Sequence, residues 1–136
     1  MYGGEITKTI GDEVMATFSV VTDPVEITKC ALDIFSSFNN IKAYNKGKYI
    51  IHAKASIDFG ESYNGNVIGN DVFDPIGTCI DRCARISKFA QKDEITISEV
   101  YYNLVSEKIT TMGLSLVKKN EDLKGLGLTN FFILRK

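Results

Sequence analysis

The sequence predicts an α/β domain with a mostly antiparallel sheet and helices on one face. Three observations carry that prediction. Several short runs alternate apolar and polar residues with a period of two. Two longer segments place apolar residues at helical spacing. Gly-, Asp- and Asn-containing turn pairs separate the two kinds of segment. The 136 residues, 44% hydrophobic and 24% charged, have ordinary globular composition and suffice for one domain spanning 1–136.

Residues 5–10 and 13–19 are two β-prone runs separated by Gly11-Asp12, a two-residue hairpin signal. Asp23-Pro24 then opens a helix, with Asp23 as N-cap and Pro24 in the first turn. Its apolar positions are Ile27, Ala31, Ile34, Phe35, Phe38 and Ile41, and Asn45-Lys46-Gly47 closes the unit. Residues 49–59 alternate, with Tyr49, Ile51, Ala53, Ala55 and Ile57 on one face and His52, Lys54, Ser56 and Asp58 on the other. That reads as a half-buried strand. Residues 61–69 are punctuated by glycine and suit a short hairpin partner. A second helix is expected over about 75–89, a short strand over 95–98 and a short helix over 99–106. A closing strand pair is expected over 114–118 and 131–135. There is no internal repeat, low-complexity tract or domain boundary.

Charge and composition exclude several classes. Sixteen Lys and Arg against 17 Asp and Glu give a net charge of −1, so no basic excess is available to coat nucleic acid. No apolar run approaches the ~20 residues that span a bilayer. The opening MYGGEITKTIGDE has no apolar core of a signal peptide. Cys30, Cys79 and Cys83 lack metal-type spacing and read as small core residues. The single His52 has no second ligand candidate nearby, which argues against zinc. A reducing, cytoplasmic location is the expectation.

The second helix is the most informative segment. Ile76, Cys79, Ile80, Cys83 and Ala84 form an apolar stripe. Asp74, Thr78, Asp81, Arg85 and Lys88 form a polar one, at spacings of four, three, four and three. Taken alone, this second stripe is a solvated face with Asp81–Arg85 as a surface ion pair, contributing only a few tenths of a kcal/mol. Gly11-Asp12 is likewise an ordinary turn, and Lys8 an ordinary outward strand residue.

Four collinear segments together carry more. GGEITKTIGDEVMATF (3–18) resembles the central hairpin of class III nucleotide cyclases. IHAKASIDFGESYNGNVIG (51–69) resembles that family's strand leading into a glycine-punctuated hairpin, and DPIGTCIDRCARI (74–86) its helix ending in an alanine–arginine pair. EITISEVYYNLV (94–105) resembles the strand and helix that follow. The last 30 or so residues match only loosely.

The resemblance implies a ferredoxin-like βαββαβ core and an adenylate cyclase-like phosphorus–oxygen lyase. Such an enzyme converts a nucleoside triphosphate, here ATP by preference, to its 3′,5′-cyclic monophosphate and pyrophosphate. It implies two Mg²⁺ or Mn²⁺ ions per site. Asp12 matches a metal aspartate, Lys8 the base-reading lysine of adenylate-forming members, and Asp74 the acceptor for the adenine amino group. Arg85 matches the arginine that stabilises charge on the α-phosphate. In the family one subunit supplies the metal residues and the other the base-reading residues, so a homodimer is implied.

Two departures from the family pattern follow. Asp81 stands where the family has an asparagine that orients the ribose; a carboxylate ~4 Å from a phosphate charge costs about 4 kcal/mol at an effective dielectric of ~20. The family's first metal aspartate lies on a strand well upstream of the hairpin. Only 11 residues precede Asp12 here and none is an aspartate, so an N-terminally incomplete domain is the expectation. Alternatives are a pyrimidine cyclase making cyclic UMP or CMP, as in antiphage members of the family, and a degenerate module that binds nucleotide or a partner without turnover. An unrelated α/β domain is the remaining alternative.

Overall fold

The structure, a computed structural model, describes residues 2–41, 51–66 and 73–136. The chain opens with a hairpin, β1 (Glu5–Ile10) against β2 (Glu13–Thr17), antiparallel, with a register shift between Ile6 and Lys8. Gly11 takes a φ of 57° in the turn, a left-handed conformation that glycine adopts without a Cβ penalty. Helix α1 (Pro24–Ile41) starts as expected: Asp23 Oδ1 accepts from the Val25 N–H at 3.0 Å. Its inward face is Val25, Thr28, Ala31 and Phe35.

The principal sheet has four strands in the order β3-β6-β8-β7. These are β3 (Ala55–Ile57), β6 (Ile95–Ser98), β8 (Gly127–Arg135) and β7 (Ser115–Leu123). β3 runs parallel to β6, and the other two pairings are antiparallel. Two further short strands, β4 (Tyr63–Asn66) and β5 (Phe73–Ile76), pair antiparallel with each other. Helix α2 (Thr78–Ser87) follows β5, and α3 (Glu99–Ile109) follows β6. α3 is capped by Ser98, whose hydroxyl accepts from the Tyr101 N–H at 3.1 Å.

The mixed, antiparallel-rich architecture is the expected one, but the helices divide between the two faces. Ile57, Ile95, Ile97, Phe132 and Leu134 pack with Val25, Phe35, Tyr101, Val105 and Ile109, on the side of α1 and α3. Phe131, Ile133 and Leu123 pack with Ile86 of α2 on the opposite side. Alternation along β8 therefore serves two cores, which is why residues 131–134 are all buried. The Tyr101 hydroxyl joins α3 to α1 through Thr28 at 2.7 Å and through the Pro24 carbonyl.

Several boundaries differ from the sequence reading. The strand expected over 49–59 pairs only at Ala55–Ile57, and residues 49–50 lie outside the described residues, as does the stop at Asn45-Lys46-Gly47. α2 begins at Thr78 because Phe73–Ile76 is engaged in a strand. α3 runs to Ile109, and the closing strands are nine residues each. Gly125 (φ 82°) lies in the turn between those strands, and Gly127 (φ 72°) opens β8. No described helix is long and apolar enough to cross a membrane.

Candidate functional site

The polar stripe of α2 is real where it is described. Thr78, Asp81, Arg85 and Lys88 are exposed and follow one another up the helix. Among the described residues Asp81 and Arg85 make no ion pair, with each other or with any neighbour. The surface pair that would explain Arg85 as simple solvation is therefore not formed. A guanidinium held on a helix without a carboxylate is available to an anionic ligand.

The opposite face of α2 is docked closely onto the end of β3 and the chain beyond it. Ser56 Oγ donates to the Cys83 carbonyl at 2.8 Å, and Cys83 Sγ lies 3.4 Å from Ser56 Oγ. Arg82 grips Asp58 with two parallel bonds, Nε to Oδ2 and Nη2 to Oδ1, both 2.7 Å. The Asp58 side chain is only 3% exposed. That bond to Asp58 raises the Arg82 pKa further. Gly60 abuts the helix so tightly that a Cβ there would lie 2.7 Å from Cys79 Cβ. A Cβ on Gly77 would meet the Glu61 carbonyl oxygen at 2.7 Å.

The sequence reading missed Asp58 and Arg82. It placed Ser56 and Asp58 on the outward face of a strand, whereas α2 covers that face. A signal was present: Arg82 is spaced three from Cys79, one from Cys83 and four from Ile86, so it belongs to the buried stripe by helical geometry. Ile76 and Ala84, assigned to that stripe, are exposed, Ile76 lying on β5 before the helix, and Ile86 takes the buried place. Cys79 and Cys83 are free, half-buried thiols on the docked face, and Cys30 is half-buried on α1; none belongs to a core cluster, so the expected core role is not met. Burial pushes the Cys83 thiol up to about 11. His52 is exposed and, among the described residues, belongs to no cluster of metal-binding side chains.

The remaining candidates lie on the hairpins. Asp12 is exposed in the β1–β2 turn and Lys8 is half-buried on β1. β1 lies against β5, the strand that carries Asp74, where Asp74 sits opposite Gly65 in the β4–β5 register. The fold thus brings the elements bearing Lys8 and Asp74 together, and places Asp81 and Arg85 on one face just after them.

A pair of hard divalent cations needs about six oxygen ligands each. Asp12 is an exposed carboxylate in the turn and Glu13 another at the start of β2, and no group of three or more His, Cys, Asp or Glu able to hold a metal occurs among the described residues. These residues do not make a two-ion site by themselves.

Two open grooves mark the surface. One of about 360 Å³ runs between Thr78 and Arg82 of α2, Glu99 and Val100 of α3 and Leu128 and Thr129 of β8. Another, about 590 Å³, lies along α1 beside Cys30, Asp33 and Ile41 and includes none of the candidate residues.

No family model and no curated protein matches the sequence. Solved structures do match the fold. The guanylate cyclase domain of RhGC from Catenaria anguillulae, in complex with GTP, superposes with a TM-score of 0.77 at 21% identity, covering 99% of this chain and 75% of that one. The adenylyl cyclase CyaB from P. aeruginosa gives 0.73 at 18% identity over 99% of this chain and 73% of its own. The guanylyl cyclase Cya2 gives 0.79 at 15% identity, over 98% and 70% respectively. The chain has the fold of class III nucleotide cyclase catalytic domains.

Proposed function

We propose that this chain, with the fold of a class III cyclase catalytic domain, is a nucleotide cyclase acting on a nucleoside triphosphate, with ATP preferred. The observation that carries the reading is Arg85: exposed, without a carboxylate partner, and held on a helix whose other face is locked to the sheet. Nothing in the packing requires an arginine there.

In the proposed reaction the ribose 3′-oxygen attacks the α-phosphorus. A new O3′–P bond forms, the bond to the β-phosphate oxygen breaks, the 3′-proton passes to solvent and pyrophosphate leaves. Arg85 donates to the α-phosphate oxygens as charge builds on them. Asp81, one turn before Arg85, accepts from a ribose hydroxyl; it cannot donate as an asparagine would. Lys8 donates to the adenine ring and Asp74 accepts from its amino group, which favours ATP over GTP. Asp12 would hold a Mg²⁺ or Mn²⁺ ion through its carboxylate, and the ion would neutralise triphosphate charge. The triphosphate oxygens would supply further ligands to the ion. The functional unit is a homodimer, in which Asp12 of one subunit faces Lys8, Asp74 and Arg85 of the other.

A second reading, a module that binds nucleotide without turnover, is favoured by Asp81 standing in place of the family's asparagine. The deciding experiment incubates the longest natural form of the protein with ATP, GTP, CTP and UTP separately, with Mn²⁺ and with Mg²⁺, and identifies products by mass spectrometry. Cyclic AMP is expected, and its loss in Asp12→Ala is expected with it. A cyclic pyrimidine product would reassign the base. No product from a folded sample that still binds nucleotide would leave the binding module as the correct reading.

A further inference from the structure

We propose that the Asp58–Arg82 pair is a positioning device: it fixes the rotation of α2 on the sheet and thereby aims Arg85 and Asp81. The inference rests on the cyclase reading of Arg85 and goes beyond it, because neither Asp58 nor Arg82 faces the candidate site.

The pair has the geometry for this role. A two-point guanidinium–carboxylate contact fixes orientation as well as distance, which a single ammonium contact does not. Both of its bonds are 2.7 Å and its carboxylate is almost fully covered. Asp58 follows directly on β3, a strand paired along Ala55–Ile57, so the anchor is tied to the sheet. Arg82 adjoins Asp81 and lies three residues before Arg85, so whatever rotates Arg82 rotates both.

The lever is sensitive. Side-chain heads lie about 5–6 Å from a helix axis, so a rotation of about 10° carries them through about 1 Å. A misplacement of that size costs up to about 100-fold in rate when a group must meet a transition state. α2 is short, ten residues, and Gly77 before it makes no side-chain cap, so its hold on the sheet comes from contacts along its inner face, Ile86 among them. The neighbouring contacts, Ser56 to Cys83 and Gly60 against Cys79, set how close the helix lies. Among these contacts the Arg82 fork is the one built from two bonds to a single buried group.

Two variants test it: Arg82→Lys, which keeps the charge and loses the fork, and Asp58→Leu with Arg82→Met, which removes the buried charges together and avoids leaving one unpaired. Both are assayed for kcat and KM on the nucleotide that the wild-type chain cyclises, with thermal melting alongside. The expected result is a 10- to 100-fold lower kcat with KM within about threefold, in samples that melt cooperatively. Equal kcat in wild type and in either folded variant would overturn the positioning role and leave the cyclase reading intact. Loss of KM and kcat together in proportion to loss of fold would make the pair merely structural and also overturn it. Absence of turnover by wild type would remove the cyclase reading itself, and the inference with it.

Discussion

Replacing Gly60 with alanine tests how tightly α2 is docked. The added methyl would lie 2.7 Å from Cys79 Cβ and 3.1 Å from its Sγ. The sulfur is free to rotate away, but the Cβ is fixed to the helix. Carbon atoms in contact sit about 3.5–4.0 Å apart, so about 1 Å must be recovered by moving the helix or the chain at Gly60. Overpacking of this kind costs about 1–3 kcal/mol. For a chain of this size each kcal/mol lowers Tm by roughly 4 °C, so the melting temperature should fall by roughly 4–12 °C. Backbone conformation does not confuse the result, because Gly60 is not among the glycines with positive φ. The sign is diagnostic: with no clash, Gly→Ala would stabilise by about 0.4–1 kcal/mol through the unfolded chain. Thermal melting by circular dichroism reads the effect. Adding Cys79→Gly to Gly60→Ala should recover part of the loss, and the double-mutant cycle isolates the contact. A Tm that holds or rises in Gly60→Ala would refute the close docking of α2.

Three further outcomes are expected. Arg85→Ala should lower kcat about 100- to 1,000-fold while nucleotide affinity and Tm stay nearly constant, since the side chain is exposed and unpaired; equal losses in affinity and turnover would contradict a transition-state role. Lys8→Glu with Asp74→Cys should move preference from ATP toward GTP in a competition assay, and an unchanged preference would mean the base is read elsewhere. The Cys83 thiol, raised by burial from 9.0 to about 11, makes stability depend on alkaline pH. Its contribution is fully present below pH ~9 and is lost as pH rises toward ~11, to the extent of about 2–3 kcal/mol. Urea midpoints of the wild type should therefore fall more steeply over that range than those of Cys83→Ala, and parallel falls would rule the thiol out as the cause.

Much of the element order was legible because it rests on local signals. Gly11-Asp12 announced its hairpin, and Asp23-Pro24 announced α1. The 95–98 strand was apolar enough to stand out. Boundaries failed where pairing between distant segments decides. Asp74 and Pro75 look like a helix start but lie on a strand, since residues 63–66 offer them a partner. The polar run in β7 has no alternation, yet nine registered pairs with β8 hold it. The exposed side of α2 could be read from spacing alone. Its buried side could not, because an arginine in an apolar stripe makes sense only once the carboxylate of Asp58 is seen across from it.

The β1–β2 hairpin, which carries Lys8 and Asp12, has no strongly buried residue, and Ile6, Ile10 and Val14 are more than half exposed. It forms its own two-stranded sheet, separate from the four strands of the core. An element with so little buried apolar surface opens at a lower free energy than the body it leans on. Two of the five proposed ligand-binding residues, Lys8 and Asp12, therefore lie on the element that opens more readily, and the apparent dissociation constant is the intrinsic one divided by the fraction of chains with the hairpin in place. Anything that covers Ile6, Ile10 and Val14 raises that fraction. On the proposed reading, nucleotide affinity thus depends partly on Ile6, Ile10 and Val14, which are not among the proposed ligand contacts.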